Sequence, residues 1–171
     1  MNSTFSLLLL LATTSACASA TPALSKPSDL LGTWRCGPVV MQGSGFTVTY
    51  SEQITWEGGG TYVSYGATVM ATPNKVPVTL TDRSNGTWKL EDGIIETHVL
   101  RSQFLSASDP AVTREAGQKA HDDQIKKKSV YQNRILEHTA DRYRTFPVNA
   151  MYKEAEVELS CDRSKPISAA Q

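Results

Sequence analysis

Apolar and polar residues alternate with a period of two along most of the chain, the signature of strands with one face turned to a core. The stretch FTVTYSEQITW sets Phe46, Val48, Tyr50, Ile54 and Trp56 on one face and Thr47, Thr49, Ser51, Gln53 and Thr55 on the other. Glu57 to Gly60 then supply a turn. TYVSYGATVMA continues with Val63, Tyr65, Ala67 and Val69 on a common face, and VPVTLTD alternates through Val76, Val78 and Leu80. Pro77 cannot donate a ladder hydrogen bond, so it marks a strand start, an edge or a bulge. Ser84-Asn85-Gly86 reads as a turn before TWKL, and Glu91-Asp92-Gly93 as a turn before IIETHVL.

The alternation breaks over residues 106–128. Asp109 followed by Pro110 is a helix-start signal. Val112, Ala116 and Ala120 recur every four residues, but they are small and Gly117 interrupts them. Such a helix buries little apolar area, which predicts a peripheral flap or lid, with Lys126 to Lys128 on a solvated face. Strand character returns in SVYQNRILE, RYRTFPV and EAEVELSC. The pattern as a whole predicts an all-β, antiparallel meander of eight or nine strands with one helical insertion. Meanders of this size close into barrels or fold as sandwiches.

Charge adds two limits. Seventeen Lys and Arg balance seventeen Asp and Glu, without the basic surplus that nucleic-acid binding requires. Residues 1–105 hold 6 basic and 7 acidic groups, whereas the shorter remainder holds 11 and 10. The middle of that second part is therefore expected to be a solvated excursion.

The first residues, MNSTFSLLLLLATTSACASATPA, carry an apolar run too short to span a bilayer. They fit a secretory signal over residues 1–20, cut after Ala18-Ser19-Ala20. Thr14 to Cys17 also resemble a bacterial lipoprotein box, in which cleavage before Cys17 leaves that cysteine to carry lipid. Residues 21–29 then form a leader, 30–163 the barrel domain and 164–171 a tail. The expected location is secreted or periplasmic, with membrane attachment only through a lipid on Cys17.

On either route Cys17 is discarded or acylated, leaving Cys36 and Cys161 as a pair for an oxidising compartment. If they face each other across antiparallel strands, the register sets Trp34 opposite Arg163 and Val40 opposite Val157. One face of the last strand then carries Val157, Leu159, Cys161 and Arg163, and the other Glu156, Glu158, Ser160 and Asp162. Pairing of first and last strands closes the sheet into a barrel. The bridge closes a loop of about 125 residues, contributing about 4–5 kcal/mol in the chain-entropy model. Arg163 over the Trp34 indole adds about 1–2 kcal/mol of cation–π attraction.

Gly32-Thr33-Trp34 resembles the G-x-W signature that opens the first strand of lipocalins and related calycins. The resemblance covers roughly residues 30–163. It implies that Trp34 plugs the closed end of a barrel and that Arg163 is the last-strand arginine stacked over it. The family usually places its helix just before the final strand. Here the helical segment comes earlier, which implies a variant of the lipocalin-like barrel.

No nucleophile elbow, phosphate loop or dinucleotide fingerprint occurs. His98, His121 and His138 lack ligand spacing, and His121-Asp122-Asp123 reads as an exposed polar turn. No catalytic residue, metal site or cofactor is therefore expected, and the chain is not read as an enzyme. Asn85-Gly86-Thr87 fits an N-glycosylation acceptor.

Glu52 is the exception to its strand's pattern, falling between Tyr50 and Ile54 on the apolar face. Either a bulge or a place near the open mouth turns it to solvent, or it enters a cavity lined by Tyr50, Trp56 and Tyr65 and orients a ligand's polar group. A buried carboxylate needs a partner. The expected function is non-catalytic binding of a small, largely apolar ligand inside the barrel. The alternative is a periplasmic protein-binding module of the inhibitor or immunity type, contacting an envelope protein through residues 106–128. A filled interior favours the second, and a pocket of roughly 300 Å3 or more favours the first.

Overall fold

The computed structural model describes residues 26–164. The expected signal sequence, Cys17, residues 21–25 of the expected leader and the end of the tail lie outside the described residues. Eight strands follow one another: β1 (Gly32–Gly43), β2 (Phe46–Glu57), β3 (Thr61–Ala71), β4 (Val78–Glu91), β5 (Ile94–Ala107), β6 (Val130–His138), β7 (Arg142–Pro147) and β8 (Leu159–Arg163). Each pairs antiparallel with its neighbour in sequence, and β1 pairs with β8, so the sheet is a closed barrel. A helical turn, α1 (Pro27–Leu30), precedes β1, and helix α2 (Arg114–Lys127) links β5 to β6. The all-β class, the meander and the single helical insertion are those that the alternation predicts.

The closing register is the expected one at the cysteines. Trp34 pairs with Arg163, Arg35 with Asp162 and Cys36 with Cys161, and the two sulfurs are bonded. The expected pairing of Val40 with Val157 does not form. The register of β1 shifts between Cys36 and Val39, and β8 begins only at Leu159, after a 3-10 turn at Lys153–Ala155. An extra residue in one strand reverses its alternation, which leaves Val40 51% exposed.

Two further turn signals have opposite outcomes. Ser84-Asn85-Gly86 lies inside the continuous strand β4, at an irregularity of register between Asn85 and Gly86. A Cβ on Gly86 would overlap the His98 carbonyl of β5. This glycine therefore marks a close backbone approach within the sheet rather than a reversal of the chain. Pro77 stands just before β4, at a strand start. The turn at Asp92-Gly93 does form, with both residues at positive φ as a two-residue hairpin of the primed type requires.

The core sits at one end. Leu30 of α1 and Trp34 are 0% exposed, so the end of α1 is part of the barrel floor. They pack with the disulfide, Ile54, Trp56, Tyr62, Trp88, Ile95 and Tyr143. The Trp34 indole donates to the Leu30 carbonyl at 2.7 Å and meets Tyr143 edge-on. The Arg163 guanidinium lies 4.1 Å from the centre of the Trp34 ring. It also donates to the carbonyls of Asp29, Leu31 and Ala140 at 2.6–2.7 Å. One side chain thus ties α1, the β6–β7 turn and the ring together, as the resemblance implies for Trp34 and Arg163.

Helix α2 departs from expectation. It starts at Arg114, with the Thr113 hydroxyl accepting from the Ala116 N–H, whereas Asp109 makes a turn by accepting from Ala111. Nor is it a peripheral flap. β6 pairs with β5 only over Ile94 to His98, and α2 covers part of the rest of β5. Gly117 is the buried residue of α2 and lies against the Phe104 ring, where a Cβ would come within 2.6 Å. The Gln118 amide accepts from the Phe104 N–H at 3.0 Å and donates to the Ser102 carbonyl at 2.9 Å. It thereby does for the β5 edge what a neighbouring peptide would do. Small residues bring the helix close, so it forms wall despite its weak apolar stripe.

Candidate functional site

The side chains that turn inward beyond the aromatic floor leave a cavity of about 610 Å3. Ile54, Trp56, Ile95 and Tyr143 line its floor side, and Leu80, Val99, Leu159 and Ile125 of α2 contribute apolar surface elsewhere. Between them stand Tyr50, Glu52, Asp82, Ser84, Tyr131 and His121. The Tyr143 hydroxyl accepts from the Trp56 indole at 3.3 Å, which fixes two of the lining rings.

Glu52 faces the interior. Strand β2 runs without a bulge against β3 at this point, so alternation keeps Glu52 in phase with Tyr50 and Ile54. Ser64 donates its hydroxyl to the Glu52 carboxylate at 2.6 Å, and Tyr50 supplies a second hydroxyl. Burial pushes the Glu52 carboxyl above its ordinary range, against the pull of these two hydroxyls. Burial, followed by the charge of Glu52, likewise holds the Tyr50 phenol well above its ordinary value. Tyr62, also in the lining, is pushed up to about 12 by burial.

Of the residues expected to line the cavity, Tyr50, Glu52 and Trp56 do so and Tyr65 does not. Tyr65 pairs with Gln53 on the outer face, is 50% exposed and borders a groove on the outside. Both faces of β3 carry large residues, and the register with β2 selects Tyr62, Ser64, Gly66 and Thr68 as the inward set. Tyr62, Ser64 and Asp82 are site residues missed by the sequence reading. For Asp82 the signal was present, since it follows Val78 and Leu80 at the strand period. His121 required the fold. It sits in α2 rather than in a polar turn, and its Nδ1 lies 2.8 Å from the Ser102 hydroxyl. Among the described residues no three His, Cys, Asp or Glu side chains come together in a way that would hold a metal ion.

A closed eight-stranded antiparallel barrel, locked by a bridge between its terminal strands and hollow at one end, is compatible with a calycin-like fold. The sequence matches no protein-family model, and no curated protein matches it closely enough to assign it a family. The disulfide fits an environment outside the reducing cytoplasm. Among the described residues no helix is long and apolar enough to cross a membrane.

Proposed function

We propose that this chain is an exported, lipocalin-like barrel that binds a small ligand in its interior without catalysis. The observation that carries this reading is the 610 Å3 cavity, twice the size that separates a ligand pocket from a filled core. Its mixed lining is the usual make-up of a ligand site, with apolar and aromatic walls and a few placed polar groups. The protein-binding alternative draws no comparable support. Residues 106–128 were its contact element, and α2 within them is part of the cavity wall. In this reading the ligand is the partner, nucleic acid is not, and attachment to a membrane rests on a lipid at Cys17.

Titration with the neutral dye Nile red tests it. Wild-type protein is expected to give saturable, one-to-one fluorescence enhancement, and Thr68→Trp, which fills the cavity from β3, is expected to abolish it while leaving the fold intact by circular dichroism. Wild type without stoichiometric binding, or an unchanged Thr68→Trp titration, would overturn the proposal.

A further inference from the structure

Glu52, Gly66 and Asp82 lie in one row across three strands, with Glu52 paired to Gly66 and Gly66 to Asp82. Adjacent strands are about 4.8 Å apart, so the two acidic residues start roughly 10 Å from each other on the cavity wall. Gly66 leaves the space between them open. A Cβ there would stand 2.8 Å from an Asp82 carboxylate oxygen, so the absent side chain is what lets that carboxylate lean into the gap.

Both carboxylates line the cavity, and neither takes part in any of the ion pairs among the described residues. Those pairs engage Lys89, Lys119, Lys126, Arg142 and Arg144 instead. Around Glu52 stand the hydroxyls of Tyr50 and Ser64, and around Asp82 the imidazole of His121 from α2. Partly buried carboxylates without a strong counter-ion are costly, and desolvation raises both acids accordingly. Tyr50, Tyr62 and Trp56 place aromatic rings in the same cavity, and ring faces attract cations.

We infer that the cavity selects a small organic cation, an ammonium group on an apolar body, with Glu52 and Asp82 as its two counter-charges across Gly66. This rests on the reading of the barrel as a ligand-binding protein and names the class of ligand. The ammonium head supplies the charge and the N–H donors that the carboxylates lack. The apolar body lies against Ile54, Trp56 and Ile95. A neutral head of equal size leaves the two partly buried carboxylates uncompensated, and an anionic head adds like-charge repulsion, so discrimination comes as much from rejection as from attraction.

The test is calorimetric titration of the full chain at neutral pH with n-octylammonium, n-octanol and n-octanoate, which share one apolar body. Octylammonium is expected to bind at least about tenfold more tightly than octanol, with octanoate weakest. Glu52→Gln and Asp82→Asn are each expected to erase most of that preference, octylammonium binding more weakly and octanol more tightly than to wild type. Equal affinities for the three compounds, or a preference for octylammonium that survives both substitutions, would overturn the inference and leave the small-ligand reading standing. Failure of all three to bind would overturn both.

Discussion

At the closed end of the barrel Leu30, Trp34, Trp88, Tyr143 and the Cys36–Cys161 bridge pack together in one core cluster. At the open end β2, β4 and β6 turn Glu52, Asp82, Ser84 and Tyr131 inward, around 610 Å3 of space. The closed end is held by interactions that are independent of any ligand: ring contacts, a covalent cross-link and an arginine shared by three carbonyls. The open end keeps polar groups buried and partly uncompensated, and borrows a helix to finish its wall. Stability is concentrated where nothing has to enter, and chemistry is placed where something can.

Three variants sharpen that contrast. The largest effect belongs to the closed end. Joint replacement of Cys36 and Cys161 by serine is expected to lower stability by about 4–5 kcal/mol under oxidising conditions. That is about 10–20 °C in melting temperature for a domain of this size. Under reductant the variant and wild type are expected to melt within a few degrees of each other. Equal differences in both conditions would show that the bridge contributes nothing beyond its atoms.

An intermediate effect is expected at the helical wall. Gln118→Ala removes the partners of one N–H and one carbonyl on the β5 edge, at about 1–2 kcal/mol. Amide exchange at Phe104 is expected to accelerate, while exchange at Trp34 and Cys36 stays slow. Unchanged protection at Phe104 would mean that α2 does not seal the edge.

The smallest effect has the opposite sign. Glu52 has its carboxyl raised by burial, so folding weakens as pH rises above the unfolded carboxylate range, about 4, where the unfolded chain ionises more readily than the folded one. Glu52→Gln removes that loss. The ligand-free variant is expected to be more stable than wild type at pH 7, with the gain vanishing as the pH falls toward about 4. A variant that is less stable than wild type at neutral pH would show that the ionised carboxylate is compensated from within the barrel.

Legibility in the sequence follows the same division. The closed end was readable because its determinants are few and strongly constrained: a single pair of cysteines left after the N-terminal one, a G-x-W at a strand start and an arginine two residues beyond Cys161. The cavity was readable only in part. Tyr50, Glu52 and Trp56 lie on one unbroken strand, where alternation carries from residue to residue. Tyr65 was misplaced because both faces of β3 hold large side chains, and only its pairing with β2 tells them apart. Gly117 looked like an interruption because its value, contact with Phe104, comes from a strand distant in sequence.

The order of strands, their antiparallel pairing and the cross-link that closes the sheet were set by local periodicity and by two cysteines, both of which survive reading one residue after another. The depth of the cavity, the helix that completes its wall and the meeting of Glu52 with Asp82 over Gly66 belong to the tertiary structure. They depend on registers and bulges between strands, and a shift of a single residue moves every side chain beyond it to the other face.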